Sequence, residues 1–390
     1  MNEFNPARLE EQARERSGLE DFGPADYKEP LEIVAQSLDL EAPLSPAGRT
    51  ASAARLVDLL ADRLTLELWF RRHPEIAAEV IEPPVVVAGL PRTGTTLLYR
   101  MLAAAENFAA PIHFEAACVA PAPDWDFRPE TDARIGAAKA RVAAQLAATP
   151  ELAAIYPLDA MAPEESLYLY APSLRSTREQ ARAHLPSYER WFATADKRPA
   201  YAYLRRTLQF LQWQRRKSDR FGASDRWLLK GPDHMHSLDI LLEVFPGAQI
   251  IQTHRDPLQT IPSICSLVRV HHSTTTSRDD SVEIGQSWSA RFAASMERAL
   301  GIRDAHPESF IDVYYQDTVS APRKVAEDIF AFIGRELTPA AWASMSIWRD
   351  ANRREMRPAH HYTLADFGLT EGRVKDMFAR YRERFILHAR

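Results

Sequence analysis

The chain has 390 residues, of which 46% are hydrophobic and 26% are charged, as in soluble globular proteins that bury a core. Its 48 Lys and Arg residues are balanced by 53 Asp and Glu residues, so no overall positive field attracts nucleic acid, and we expect no nucleic-acid partner. Cys118 and Cys265 are the only cysteines in the sequence, which excludes a disulfide framework and is typical of a reducing compartment.

The first 80 residues predict helices that are separated by prolines. The charged start of the chain lacks the apolar stretch of a secretory signal, and no apolar run approaches the ~18 residues that a transmembrane segment needs. Ser45 and Pro46 are a typical N-cap and first-turn pair, and apolar residues follow them at helical spacing. We therefore expect a helical N-terminal extension over residues 1–80 and a cytoplasmic protein.

From residue 81 the pattern changes to short apolar strands, each followed by a helix. The run VVVAG is rich in β-branched residues and bounded by proline and glycine, as expected of a buried parallel strand. The later predicted strands are residues 226–230, 248–254 and 310–315. This alternation predicts an α/β fold, with a P-loop-type parallel sheet flanked by helices. We expect this domain to span residues 81–390, with a helical insertion at about 120–220 and a last helix ending near Phe385.

The loop after the first predicted strand, GLPRTGTT, is typical of an anion site. A loop between a strand and a helix presents backbone N–H groups and the positive end of the helix dipole. In the phosphate-binding pattern G-x-x-x-x-G-K-[ST], Gly89, Gly94 and Thr96 are in register. Thr95 replaces the lysine, and Arg92 supplies the nearest positive charge. A planar guanidinium suits a phosphate or a sulfuryl group without a metal ion.

This loop resembles the 5′-phosphosulfate loop of sulfotransferases that use 3′-phosphoadenosine 5′-phosphosulfate (PAPS). Residues 227–267 are similar to the 3′-phosphate region of that family, with an R-D-P motif at Arg255 and Ser263 eight residues later. The resemblance covers roughly residues 84–118 and 226–385, and it implies PAPS as the co-substrate. The residues that it assigns to PAPS binding are Arg92, Thr93, Gly94, Thr95, Thr96, Arg255 and Ser263.

Sulfuryl transfer to a hydroxyl group needs a base, for which two residues are candidates. Glu115 is similar in position to the catalytic glutamate of tyrosylprotein and some bacterial sulfotransferases. His234 resembles the histidine of the cytosolic family, although it lies four residues after Lys230 instead of two. The ordinary pKa of histidine favours His234, whereas the positional match favours Glu115 and gives it a slight preference. Arg92 and Lys230 are expected to stabilise the charge that develops on the leaving phosphate.

Two other functional classes remain open. A degenerate P-loop kinase or NTPase would need Mg²⁺, and a non-catalytic nucleotide-binding protein would need no base. The histidines and cysteines have no spacing typical of a zinc site, so we expect no metal. The acceptor is expected to be a hydroxyl of a small molecule or a lipid, and a homodimer is one assembly that the sequence leaves open. The basic cluster Arg353, Arg354 and Arg357 is either a charged loop or a lid over the 3′-phosphate.

Overall fold

The computed structural model describes residues 3–152, 156–218, 226–352 and 362–388. Within those ranges the chain forms a parallel sheet of four strands in the order β2-β1-β3-β4. The strands are β1 (Val85–Gly89), β2 (Leu228–Lys230), β3 (Gln249–His254) and β4 (Phe310–Tyr314). The α/β fold with a P-loop-type parallel sheet, which the sequence predicts, is therefore confirmed.

Strand β1 lies inside the sheet, and all five of its residues are buried. Val86 and Ala88 pack into one apolar cluster, whereas Val85 and Val87 pack into a second cluster. Successive side chains of a strand point to opposite faces of its sheet, so both faces of β1 are covered. This explains why β1 is a continuous apolar run rather than an alternating one.

Helices cover both faces of the sheet and build the N-terminal part of the chain. Their bounds are α1 (Pro6–Ser17), α2 (Lys28–Leu40), α3 (Pro46–Arg72), α4 (Thr95–Ala103), α5 (His113–Ala117), α6 (Ala133–Ala148), α7 (Pro186–Thr194), α8 (Arg198–Ser218), α9 (Leu238–Val244), α10 (Pro257–His272), α11 (Ser281–Ala305), α12 (Tyr315–Ser320), α13 (Pro322–Phe332), α14 (Pro339–Ala351), α15 (Glu371–Met377) and α16 (Ala379–Phe385). Helices α4, α13 and α14 pack into the cluster around Val85, and α8, α10 and α11 pack into the cluster around Val86.

The N-terminal helices α1, α2 and α3 form an apolar cluster together with residues 171–192. As predicted, α3 begins after Ser45, whose side chain accepts a hydrogen bond of 3.0 Å from the Gly48 N–H. The end of α3 reaches the main core, where Nε1 of Trp69 donates to the carbonyl oxygen of Pro121 at 3.0 Å. The division into an extension and a domain at residue 80 stays a prediction.

The region predicted as a helical insertion contains α6, α7 and α8. The last helix, α16, ends at Phe385 as predicted, and it is separated from α15 at Phe378, where the chain leaves the helical conformation (φ −113°, ψ 22°). The basic cluster at residues 353–357 lies outside the described residues.

Gly48 provides a test of how closely α3 approaches the main domain. A Cβ atom at this position would lie 1.9 Å from the carbonyl oxygen of Thr275, a backbone atom that cannot rotate away. We expect Gly48→Ala to lower the free energy of unfolding by about 2 kcal/mol or more. Gly136→Ala in α6 is the matched control, since its Cβ would meet nothing within 4 Å, and it should raise stability by about 0.5–1 kcal/mol. Denaturant unfolding measures both, and equal stability of the two variants would contradict the close contact.

Candidate active site

The loop between β1 and α4 has the backbone geometry of an anion-binding turn. Arg92 and Gly94 have φ angles of 72° and 89°, and α4 begins at Thr95 with Gly94 as its N-cap. A Cβ atom at Gly94 would lie 2.7 Å from Cδ2 of Tyr315, so space as well as conformation requires glycine. A non-glycine residue at positive φ, as at Arg92, is strained and is often retained for function. The first N–H groups of α4 face this loop and can donate to an anion.

Three residues of the predicted donor site meet beside this loop, although they are far apart in the sequence. Nε of Arg92 donates to Oγ of Ser263 at 3.1 Å. Nη1 of Arg255 lies 3.3 Å from the carbonyl oxygen of Arg92, to which it donates. The Arg255 guanidinium also lies over the ring of Tyr315, 4.4 Å from its centroid. Two guanidinium groups and a hydroxyl thus surround one place at the carboxyl edge of the sheet.

Thr93 has a different position from its neighbours in the loop. Its side chain is buried, and Oγ1 donates to the carbonyl oxygen of Leu90 at 2.7 Å. The same atom lies 2.5 Å from Oγ1 of Thr253 at the end of β3. The hydroxyl of Thr93 therefore ties the loop to the sheet, and the assignment of Thr93 to donor binding stays a prediction.

The loop opens into a cavity of about 770 Å³. Its described lining includes six of the residues that were assigned to the donor from the sequence, namely Arg92, Gly94, Thr95, Thr96, Arg255 and Ser263. Much of the remaining lining is apolar and comes from α10 and α11, including Leu267, Val268, Trp288 and Phe292. The cavity thus joins a charged region at the loop to an apolar region.

Lys230 ends β2 at the same edge of the sheet as the loop. Its side chain is 2% exposed and forms an ion pair with Glu165. Of these two residues, Glu165 is the one that lines the described cavity. Burial raises the pKa of Glu165, although the charge of Lys230 opposes this shift. Glu165 therefore stands between Lys230 and the cavity. If Lys230 stabilises the leaving phosphate, as predicted, it does so across this carboxylate.

Glu115, the first predicted base, is completely buried and is absent from the described lining of the cavity. Its carboxylate accepts hydrogen bonds from Nη2 of Arg215 at 2.5 Å and from Nε at 3.3 Å. It also accepts from the backbone N–H of Ile112 at 3.4 Å, which caps the start of α5. These contacts join α5 to α8, and they hold the carboxylate away from the cavity in which a base would act.

His234, the second predicted base, is also fully buried and outside the described lining. Its Nε2 lies 2.7 Å from Oγ of Ser166, and its Nδ1 lies 2.9 Å from the hydroxyl of Tyr201. Burial lowers the pKa of His234 to about 3, so the ring stays neutral at physiological pH. Both nitrogens are used for packing, which leaves neither for an acceptor hydroxyl in this conformation.

A histidine that the sequence reasoning missed does line the cavity. His113 is the first residue of α5, and its Nδ1 lies 2.8 Å from Oε2 of Glu164. The two segments are held together by backbone hydrogen bonds from His113 to Ala162 (3.0 Å) and from Glu164 to Pro111 (2.8 Å). The sequence signal was weak, since His113 only stands two residues before the glutamate that the family resemblance singled out.

The charge of Glu164 determines which nitrogen of His113 carries the proton. Burial alone would raise the pKa of Glu164, but the hydrogen bond from His113 and the charge of Lys230 outweigh it and hold this pKa to about 2. An ionised Glu164 accepts a hydrogen bond from Nδ1–H of His113, which leaves Nε2 as the basic nitrogen. The pair therefore resembles the carboxylate–histidine pairs that take a proton from a hydroxyl group.

Among the described residues, no group of three or more His, Cys, Asp or Glu side chains is placed to hold a metal ion. No helix in the same ranges is long and apolar enough to cross a membrane. His272, for example, is bonded to Asp280 (2.5 Å) and to the carbonyl oxygen of Gln180 (3.0 Å) in the interior.

Fold and loop together define a P-loop-type α/β protein that carries an arginine in the loop and a threonine in place of the usual lysine. The sequence profile of the sulfotransferase family matches residues 83–339. The chain therefore belongs to the sulfotransferase family.

Several known sulfotransferases are similar to this chain. The structure of sulfotransferase STF1 from Mycobacterium tuberculosis H37Rv is 30% identical, with a TM-score of 0.83 over 96% of this chain and 98% of that one. The structure of STF9 from Mycobacterium avium is 26% identical, with a TM-score of 0.87 over 98% of this chain and 97% of that one. The omega-hydroxy-beta-dihydromenaquinone-9 sulfotransferase Stf3 of Mycobacterium bovis and of M. tuberculosis is 25% identical over 273 residues. That match spans 65% of this chain and 63% of the length of these relatives.

The ion pair between Arg215 and Glu115 leads to a prediction about stability. Arg215→Met leaves a buried carboxylate without its partner, so we expect a loss of about 3–5 kcal/mol in the free energy of unfolding. Adding Glu115→Gln removes that charge and should recover part of the loss. Arg205→Met, at an exposed position of the same helix, is the control and should change stability by less than about 0.5 kcal/mol. Denaturant unfolding of the four proteins measures this, and a loss that the second substitution does not reduce would argue against the pair.

Proposed function

We propose that this protein transfers the sulfuryl group of PAPS to a hydroxyl group of a small molecule or lipid. The observation that carries the proposal is the meeting of Arg92, Arg255 and Ser263 beside the loop at the start of α4. PAPS carries two separate anionic groups, a 5′-phosphosulfate and a 3′-phosphate. The loop and Arg92 suit the first, while Arg255 and Ser263 suit the second.

A nucleoside triphosphate fits the same residues less well. The loop has Thr95 where an NTPase carries the lysine that contacts the β- and γ-phosphates. Strand β3, which lies beside β1, ends in Thr253 and His254, and Thr253 is bonded to the loop residue Thr93. A metal-binding aspartate is therefore not the residue at this strand end. The arrangement favours a donor that has a second phosphate over one that has a triphosphate and Mg²⁺.

We assign the base to His113, with Glu164 as the residue that positions it. In this proposal Nε2 of His113 takes the proton of the acceptor hydroxyl, and the resulting imidazolium is stabilised by the ionised Glu164. The acceptor oxygen forms a bond to sulfur while the bond from sulfur to the bridging oxygen of the phosphosulfate breaks. The electron pair of that bond leaves with 3′-phosphoadenosine 5′-phosphate (PAP), whose charge Arg92 is placed to stabilise.

The apolar part of the cavity supports an acceptor with an apolar body. Leu267 and Val268 from α10 and Trp288 and Phe292 from α11 line the cavity beyond the loop. The relative Stf3 is named for a lipid-like quinone acceptor, omega-hydroxy-beta-dihydromenaquinone-9. An amphiphilic alcohol is therefore the acceptor class that we favour.

Binding of PAP tests the donor assignment. We expect PAP to bind without magnesium, and Arg255→Ala to weaken its binding by roughly 2 kcal/mol, about 30-fold, because a charged hydrogen bond to phosphate is lost. Isothermal titration calorimetry with PAP, ATP and adenosine 5′-phosphosulfate, which lacks the 3′-phosphate, measures this directly. Arg205→Met is the matched control and should leave the affinity for PAP unchanged. Binding of ATP as tight as that of PAP would overturn the assignment.

Turnover tests the base. At saturating labelled PAPS and a fixed acceptor alcohol, we expect His113→Asn to lower kcat by roughly 10²–10⁴-fold while the affinity for PAP stays the same. Glu164→Gln should lower kcat less, because the ring loses its orientation and the charge that stabilises the imidazolium but keeps its basic nitrogen. Glu115→Gln serves as the comparison, since its carboxylate faces Arg215. If Glu115→Gln abolished turnover of a stably folded protein and His113→Asn did not, the base would be Glu115.

A further inference from the structure

A second group of arginines lines the cavity away from the loop. Arg178 and Arg182 come from the segment that precedes α7, and Arg141 comes from α6. The pKa of His271, which also lines the cavity, is lowered by burial and further by the nearby charge of Arg182. His271 follows Ser263 by eight residues on α10, so the two lie roughly 12 Å apart along the helix axis. Arg182 therefore acts on a part of α10 that is distinct from the proposed site of the 3′-phosphate.

Arg178 and Arg182 have few negative partners. Within the described ranges neither forms an ion pair, and the buried Nε of Arg178 has no hydrogen-bond partner. The Arg178 guanidinium lies 4.3 Å from the centroid of the Tyr168 ring, a contact that positions it but does not neutralise it. Glu179, next in the chain, is already paired with Arg55.

Two carboxylates, those of Asp62 and Glu164, act on the charge of Arg178, and Glu164 is already paired with His113. Asp62 accepts a weak hydrogen bond from Sγ of Cys118 at 3.6 Å. Burial and the charge of Asp58 raise the pKa of Asp62 to about 7, although Arg141 and Arg178 oppose this. Asp62 is therefore only partly ionised at neutral pH. Burial also lowers the pKa of Arg178 to about 10, which shows that the protein holds this charge at a cost in solvation.

Positively charged side chains greatly outnumber negatively charged ones in the described lining of the cavity. Six arginines and one carboxylate, that of Glu165, line its described part, whereas the whole chain has a net charge of −5. Arg92 and Arg255 are used by the proposed donor site. The guanidinium of Arg100 donates to the carbonyl oxygens of Pro157 and Pro163. The positive charges of Arg141, Arg178 and Arg182 are left over after these assignments, and all three residues line the cavity.

We propose that the acceptor alcohol carries an acidic group, a carboxylate or a phosphate, which is bound by Arg178 and Arg182. This inference rests on the proposed sulfotransferase function and names the chemical class of its acceptor. The ring centroids of His113 and Tyr168 are 6.1 Å apart, and Arg178 lies 4.3 Å from the latter, so base and guanidinium are at most about 10 Å apart. The acceptor would therefore have its acidic group within about that distance of its hydroxyl, with an apolar body between them.

Binding to the PAP-loaded protein tests this without requiring turnover. The probes are unbranched ω-hydroxy acids of four, six and eight carbons, the corresponding primary amides, and ω-hydroxyalkyl phosphates of the same lengths. Each acid has nearly the same shape as its amide but carries a negative charge, so we expect the best acid to bind roughly tenfold or more tightly than its amide. Comparing the affinities of the acids with those of the phosphates shows which of the two anions fits better. Equal affinity of acid and amide, or no binding of any acid or phosphate, overturns the proposal.

Variants assign the preference to the arginines. The double variant Arg178→Met/Arg182→Met keeps the apolar stems and removes both charges, so acid and amide should then bind equally. Arg205→Met is the matched control and should keep the full preference. An undiminished preference in the double variant would overturn the proposal, and the comparison of acid with amide in the unmodified protein remains decisive if the double variant does not fold.

Measuring the binding of PAP to the same proteins distinguishes a failure of this proposal from a failure of the proposed function. PAP should bind equally well to the unmodified protein and to the double variant, since neither arginine belongs to the donor site. Tight PAP binding without a preference for acids would leave the sulfotransferase assignment intact and refute only the acidic acceptor. Absence of PAP binding would refute the donor assignment itself.

Discussion

The pairing of β1 with β3 is the constraint on which the proposed site depends. The two strands run parallel, with Gly89 opposite Thr253 at their carboxyl ends. A Cβ atom at Gly89 would lie 2.4 Å from Oγ1 of Thr253, so only glycine allows this approach. Thr93 then bonds to Thr253, which fixes the loop, and Arg255 follows two residues beyond it. Two segments that are about 160 residues apart thereby place their cationic groups at one edge of the sheet, where ligands of open parallel sheets bind.

Much of the fold could be predicted because its signals are local. The β-branched run of β1, the Ser45 cap and the glycine loop each depend on a few neighbouring residues. The division of the last helical segment at Phe378 was missed, since no proline or glycine marks it. Predictions based on local pattern therefore succeed for strands and helix starts and miss a break in a helix that no local residue marks.

The candidate base was harder to predict because its identity depends on contacts between distant residues. Glu115 is paired with Arg215, 100 residues away, and His234 with Ser166, 68 residues away. Neither partner can be recognised from the sequence, yet each occupies the side chain that the sequence offers as a base. His113 contacts Glu164, 51 residues away, in the same way. Only the side-chain contacts distinguish His113, which lines the cavity, from Glu115, which does not.

In the proposed function the cavity has two electrostatic tasks. At the loop, backbone N–H groups and two arginines would favour the anionic donor, and the departing phosphate would keep these contacts as its charge grows. In another part of the cavity, Arg178 and Arg182 would select among alcohols by charge. The apolar lining would accept the body of the molecule. In this account the same positive cavity binds the donor and discriminates between acceptors.

A crystal structure of the protein with PAP tests the central claim most directly. The account predicts the 5′-phosphate within about 3.2 Å of the backbone N–H groups at the start of α4, and the 3′-phosphate within the same distance of Arg255 and Ser263. Such a complex would also show whether Nε2 of His113 faces the open side of the 5′-phosphate. A nucleotide bound away from the loop, or a 3′-phosphate that contacts neither Arg255 nor Ser263, would contradict it.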